Sequence, residues 1–348
     1  MADVGAPGAR MRAEIAEQPE RWRDLADAWP VDVAAAIVAA SEQVVLAARG
    51  TSDHAAVYGQ YLLQSALGVP AYLATPSVTT VFGRDTVRAT TALVAISQSG
   101  RSPDLLATVE SARRAGAPTI AITNDPESPL AGAADVHVPV LAGPERAVAA
   151  TKSYTAELLA LHLLVASAGA VGRAAVRAEV DSLARAAEEV LVSVGPGVAA
   201  IADAVRDADA TLVIGRGHAL ATAREAALKL TETCALSASG WSAADAKHGP
   251  LGQVRPGMPV FLLLGAQAGR DTVESLVPDL RARGARVWTV GGDAIPGTEG
   301  ALRLPTVEDV LTPMLEILPF QLLSLELSLR RGLDPDRPAG LSKVTLTR

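Results

Sequence analysis

The chain has 348 residues, 49% hydrophobic, 20% charged and only 3% aromatic, with a formal net charge of −7. That length fits two domains of roughly 150 residues each, and the apolar content can bury a sizeable core packed by Ala, Leu and Val. The acidic balance without any Lys/Arg run argues against a nucleic-acid partner, and the single cysteine, Cys234, excludes an internal disulfide and fits a reducing, cytoplasmic setting.

Residues 1–10 are small and Gly/Pro-containing and are expected to be disordered, and no basic stretch followed by an apolar core marks a signal peptide. Ile15, Trp22, Leu25 and Trp29 recur at helical intervals, which predicts a helix from Met11 to Trp29. A strand–helix rhythm then begins. Val44–Ala48 reads as a buried strand stopped by Gly50, and a helix runs on through Tyr61-Leu62-Leu63. Ala92–Ile96 is a second strand, Asp104–Ala115 a helix and Thr119–Ile122 a third strand. The stretch Ala156–Ala170 contains Glu157 and His162 and falls short of the ~20 apolar residues of a membrane span, so it reads as a buried helix.

The rhythm restarts after an Ala/Glu/Arg-rich helical connector, Arg173–Val192. Thr211–Ile214, Val260–Leu264 and Arg286–Val290 read as strands, with helices at Ala221–Thr233 and Thr272–Arg283. Both halves open on Arg-Gly, Arg49-Gly50 and Arg216-Gly217. Short apolar strands alternating with helices predict parallel sheets covered on both faces, here a duplicated, doubly wound α/β lobe of the flavodoxin-like kind. The expected organisation is an N-terminal tail and helix over 1–34, a first lobe over 35–170, a connector over 171–198, a second lobe over 199–332 and a C-terminal tail over 333–348.

Ser97-Gln98-Ser99-Gly100-Arg101-Ser102 lies directly between a strand and a helix. Hydroxyls, an amide and helix N-terminal N–H groups at the carboxyl end of a parallel strand suit a phosphate; a merely capped loop is the competing reading. Ser52, in Gly50-Thr51-Ser52-Asp53-His54, occupies the equivalent turn after the first strand. His54 is open to a catalytic role or to a solvent-facing or capping one, and Lys152 to a surface position or a cleft. On the helix after Gly217, Glu225, Lys229 and Glu232 are spaced by four and three and share one face. An exposed ion-pair ladder is one outcome. The Ala and Leu neighbours favour the other, a buried carboxylate beside an ammonium, suited to proton transfer. His248, in Lys247-His248-Gly249-Pro250, sits in a constrained turn and offers an imidazole, a group that could move protons. The five histidines are scattered, so no metal site is predicted, and no Gly-x-Ser-x-Gly elbow marks a serine hydrolase.

Taken together, Gly50-Thr51-Ser52, Ser97–Gly100, Val148–Lys152, Ala227–Glu232, Lys247–Leu251 and the Lys343 tail resemble the sugar-isomerase (SIS) domain family over nearly the whole chain. They are similar to the isomerase half of glucosamine-6-phosphate synthases and closer to the glutaminase-free glucosamine-6-phosphate deaminases, through Ser52–Ala55, Pro76-Ser77-Val78, Gln98–Asp104, Ala149–Tyr154 and Lys343-Val344-Thr345. The resemblance implies that Ser52, Ser97, Gln98, Ser99, Ser102, Val148 and Thr151 bind a small phosphorylated amino sugar. It implies that Glu232 shuttles a proton between C2 and C1, supported by Lys229. His248, supplied across a homodimer, would open the sugar ring, and Lys343 matches the tail lysine that closes the site and, in the synthases, forms an imine with the ketose. Ala150 stands where the synthases have Ser, which tilts the expectation toward isomerising deamination. No metal or redox cofactor is expected, because an enolamine absorbs the charge, and no membrane is implied.

Overall fold

The computed structural model describes residues 5–343, so Val344-Thr345 of the tail motif lies outside the described residues. The chain divides into two compact lobes. The first comprises Glu20–Glu145, Lys152–Asp181 and, of the tail, Ser342 and Lys343. The second comprises the described part of Met1–Pro19, with Arg146–Thr151 and Ser182–Leu341.

The elements run α1 (Ala9–Ala16), α2 (Gln18–Ala28), α3 (Asp32–Ala40), β1 (Gln43–Ala47), α4 (Thr51–Leu67), β2 (Ala71–Leu73), α5 (Pro76–Thr80), β3 (Thr91–Ser97), α6 (Pro103–Arg114), β4 (Thr119–Thr123), α7 (Pro129–Ala133), β5 (Val136–Pro139) and α8 (Lys152–Ala168). They continue with α9 (Arg173–Ser193), α10 (Gly195–Ala204), β6 (Ala210–Gly215), α11 (Ala219–Cys234), β7 (Ser237–Ser242), α12 (Ala243–Ala246), a 3-10 turn (Pro250–Gln253), β8 (Pro259–Leu263), α13 (Arg270–Glu274), α14 (Val277–Ala282), β9 (Arg286–Gly291), β10 (Gly300–Arg303) and α15 (Thr312–Arg330).

Each lobe holds a five-stranded parallel sheet. The orders are β2-β1-β3-β4-β5 and β10-β9-β8-β6-β7. Counted from each lobe's first strand, both are 2-1-3-4-5, the doubly wound order expected of a duplication. The three central strands of each sheet are apolar and buried because helices cover both faces. β3 and β4 are buried at every residue, as is β8. Leu93, Ala95 and Ala121 pack with Leu105, Val109 and Leu130 in the first lobe. Leu212, Ile214, Val260 and Leu262 pack with Leu276, Leu280 and Val287 in the second. α8 is buried from Lys152 to Ala166, as an all-round apolar helix requires.

The structure departs from the sequence reading at several points. Residues 5–10 are not loose: Gly8 N donates to Asp334 Oδ1 (3.2 Å), and Arg10 and Met11 N donate to the buried Asp336 carboxylate (2.9 and 2.8 Å). Those acids cap α1 from the far end of the sequence, satisfying N–H groups that its own N-terminal residues leave open. The predicted 11–29 helix is two helices, parted at Glu17, with Pro19 early in the second. The predicted 272–283 helix is likewise parted between α13 and α14, where Pro278 takes an early position. The edge strands β2, β5, β7 and β10 and the helix α15 add to the elements that the sequence pattern predicts. α15 is helical despite Pro319 in its interior, since burial of Met314, Ile317, Leu318, Phe320 and Leu323 outweighs the lost backbone hydrogen bond.

Candidate active site

In the first lobe, β3 ends at Ser97 and α6 begins at Pro103, so the Ser97–Ser102 turn lies at the carboxyl edge of a central strand and the amino end of a 12-residue helix. Gly100 takes φ +60°, and a Cβ there would stand 2.2 Å from Ser128 Oγ, so the turn needs glycine for both conformation and space. Gly100 N donates to Ser97 Oγ (3.2 Å), and Arg101 N points to Ser99 Oγ (3.4 Å). Gln98 O accepts from Asn124 N (3.1 Å), which ties the turn to the end of β4. Ser102 occupies the N-cap position without a side-chain cap hydrogen bond, so the capped-loop reading does not describe its hydroxyl. Arg49, from the end of β1, donates from Nε to the buried Asp104 carboxylate (2.7 Å) and braces the first turn of α6.

Ser52 is buried in the first turn of α4 and donates to Glu157 Oε1 of α8 (2.9 Å). His54 is half-buried on the same turn. Lys152 is 1% exposed at the start of α8, which excludes the surface-charge reading. Lys343 of the tail reaches Glu145, with Nζ 2.8 Å from Oε2. Glu145 was not singled out from sequence: it stands in a Gly-Pro-Glu loop where no periodicity marks it. Its side chain is fully buried and also accepts from Ser153 N (3.1 Å) and Ser153 Oγ (2.8 Å).

In the second lobe, α11 carries the acid–base ladder, and it is buried. Glu225 and Lys229 are both fully covered, with Lys229 Nζ 3.4 Å from Glu225 Oε1 and 2.5 Å from Glu232 Oε2. The Glu232 side chain keeps 23% of its surface open. A carboxylate exposed at one end and held by a sequestered ammonium at the other is placed to exchange a proton with a small molecule. His248 is exposed in the turn between α12 and the 3-10 turn, followed by Gly249 at φ +137°. Val148 and Thr151 lie in the segment Arg146–Thr151, where Val148 N donates to Asp336 O (3.3 Å) and Thr151 O accepts from Gln321 Nε2 (3.2 Å). Among the described residues no cluster of three or more metal-ligating side chains occurs, and no helix is long and apolar enough to cross a membrane.

Two copies of one parallel-sheet lobe, one with a serine-rich turn at its strand ends and one with a buried acid–base helix, define a tandem flavodoxin-like α/β protein. The chain belongs to the SIS domain family, whose model matches residues 37–167 and 204–331. It is 35% identical over 357 residues to the glutamine–fructose-6-phosphate aminotransferase (isomerizing) of Methanothermobacter thermautotrophicus, across 99% of this chain and 58% of that protein. It is 34% identical to the enzyme of the same name from Symbiobacterium thermophilum, across 98% of this chain and 59% of that one. The chain thus spans somewhat over half the length of these relatives. Among solved structures, the C-terminal domain of glucosamine-fructose-6-phosphate aminotransferase from Francisella tularensis superposes with a TM-score of 0.87 at 25% identity, covering 97% of this chain and all of that one. Glucosamine-6-phosphate deaminase from Thermotoga maritima shares the fold, with a TM-score of 0.77 at 20% identity, covering 97% of this chain and all of that one.

Proposed function

We propose that the chain is an amino-sugar phosphate enzyme that converts glucosamine 6-phosphate to fructose 6-phosphate and ammonia. The observation that carries this reading is the buried ladder on α11, where Lys229 holds a partly open Glu232 carboxylate. Burial of an ion pair is costly, and an enzyme that moves a proton at carbon has a use for it.

In this reading His248 opens the pyranose ring, and a partner subunit of a homodimer contributes it. The phosphate rests on Ser97, Gln98, Ser99 and Ser102, with Ser52, Val148 and Thr151 toward the sugar hydroxyls. Glu232 removes the C2 proton of the open-chain aldehyde, the electron pair forms the enolamine, and the same carboxyl returns the proton to C1. The C2 amine is then a ketimine, and water adds to it and expels ammonia. Each acid–base step contributes ~10²–10⁴-fold, and positioning of the open chain supplies more. Ala150, where the synthases carry Ser, favours deamination. The names of the aminotransferase relatives favour a second reading, amination of fructose 6-phosphate with free ammonia.

A coupled ammonia assay over a panel of amino-sugar phosphates tests the assignment. Purified protein is expected to release ammonia from glucosamine 6-phosphate, and Glu232→Gln to lower kcat by at least ~10²-fold. Turnover of other phosphosugars without ammonia release would remove the deaminase reading.

A further inference from the structure

The Lys343–Glu145 contact assigns a task to a residue outside the motifs. Resting on the amino-sugar phosphate reading and on the resemblance to the synthases, in which the tail lysine forms an imine with the ketose, we propose that Glu145 is the residue that holds the Lys343 amine in place and takes its proton. Three observations on the first lobe support this. Glu145 is fully buried at its side chain, and a carboxylate withdrawn from water is retained where something uses or neutralises it. Ser153 fixes it twice, through its backbone N–H to Oε1 and its hydroxyl to Oε2, so residues other than the tail orient the acceptor. The tail places one cation 2.8 Å from Oε2, across 198 positions of sequence. Lys152 is also buried at the head of α8, with Nζ 3.9 Å from where a Cβ on Gly143 would stand.

An ammonium has no lone pair and cannot attack a carbonyl. Glu145 accepts one proton from Lys343, and the freed pair adds to C2 of the ketose phosphate while the C=O π pair moves to oxygen. A proton passes from nitrogen to that oxygen, giving the carbinolamine. The proton on Glu145 then goes to the hydroxyl, which leaves as water as the nitrogen pair closes the C=N bond. Glu145 finishes as a carboxylate, and no further reactant is needed.

The test is trapping with fructose 6-phosphate and cyanoborohydride, followed by peptide mass spectrometry, on the full chain. Wild type is expected to carry the reduced adduct on Lys343. Glu145→Gln is expected to trap at least tenfold more slowly at pH 7, with KM for the phosphosugar within about twofold of wild type, and to recover as pH rises and solvent takes over the deprotonation. A purely architectural role would not produce that pH-dependent recovery. Glu145→Asp keeps a carboxylate one methylene short and is expected to fall between the two. Should Glu145→Gln fail to fold, slowed trapping in Glu145→Asp supports the proposal and unslowed trapping overturns it. Wild-type trapping in Glu145→Gln at pH 7, or no adduct on Lys343 in the wild type, also overturns it. Ammonia release measured on the same sample separates the two claims: adduct without ammonia retires the deaminase reading alone, and ammonia without adduct retires the Glu145 role alone.

Discussion

The turn after β3 in the first lobe and the turn after β8 in the second hold the same place in two copies of one sheet, yet their backbone donors meet different partners. After β3, the N–H groups of Gly100 and Arg101 turn to the hydroxyls of Ser97 and Ser99, short neutral groups of the turn itself. After β8, remote carboxylates take the donors. Gly265 N donates to Glu316 Oε1 (2.8 Å), and Gln267 and Ala268 N donate to the two oxygens of Asp309 (2.8 and 2.9 Å). A cavity of about 260 Å³ lined by Gln267, Arg270, Asp293 and Arg303 adjoins the second turn. The two copies thus share the placement of the turn and differ in the acceptors of its N–H groups, neutral hydroxyls of the turn itself in one and side chains from distant positions in the other.

The largest expected effect comes from the self-filled turn. Burial pushes the Glu316 carboxyl up to about 8, opposed by the Gly265 N–H and reinforced by the charge of Asp309. The unfolded chain releases this proton around the ordinary value of 4.5, whereas the folded chain keeps it to about 8. Stability that is intact below the unfolded value is therefore lost as pH rises toward the folded one. At about 1.4 kcal/mol per unit, the loss is on the order of 4 kcal/mol between pH 4.5 and 8. Glu316→Gln keeps an acceptor for Gly265 and removes the titration. Its thermal midpoint is expected to exceed that of wild type at pH 8 and to match it near pH 4.5. Parallel melting curves across pH would refute the assignment of the burden to Glu316.

Gly100→Ala strikes the other turn. A left-handed φ costs a non-glycine residue roughly 1–2 kcal/mol, and the added Cβ would also drive Ser128 from its place capping α7. The expected result is a stability loss of ~2–3 kcal/mol with at least a tenfold rise in KM for the phosphosugar. Gly265→Ala, whose Cβ would meet Glu316 Oε1 at 2.7 Å, is expected to destabilise and leave KM unchanged. Equal effects on KM from both glycines would erase the functional difference between the turns.

How much of this was legible in the residues follows from what each element buries. The central strands and the ladder helix were readable because apolar runs and the 225–229–232 spacing are local signals. The edge strands were not: β7 is Ser-Ala-Ser-Gly-Trp-Ser, β5 ends in proline and β2 has three residues, so pairing with a neighbour rather than composition makes them strands. The Ser97–Ser102 turn was legible as a motif. Its counterpart after β8 was not, because Asp309 and Glu316 come from more than forty residues away. Glu145 and Asp336 were invisible for the same reason: a buried carboxylate's task is set by donors that only the fold brings to it.

Asp309→Asn is the milder probe of the second turn. One of its two accepted bonds and its charge are lost, so a destabilisation of ~1–2 kcal/mol is expected, with the Glu316 carboxyl still raised by burial but moving part of the way down because the smaller contribution of the neighbouring charge is gone. Turnover of the phosphosugar should not change.

The smallest structural effect, and the sharpest discrimination, belongs to Ser102→Ala. An N-cap serine that bonds its helix costs about 1 kcal/mol to remove. Ser102 makes no such bond, so the melting temperature should hold within the change that ~0.5 kcal/mol produces. If the hydroxyl instead donates to a phosphate, its loss removes a hydrogen bond to a charged group worth ~1.5–3 kcal/mol, and KM should rise at least tenfold at constant stability. The reverse pattern, a lower melting temperature with KM unmoved, would make the turn a capped loop like any other, and the contrast with the self-filled turn would then be one of stability alone.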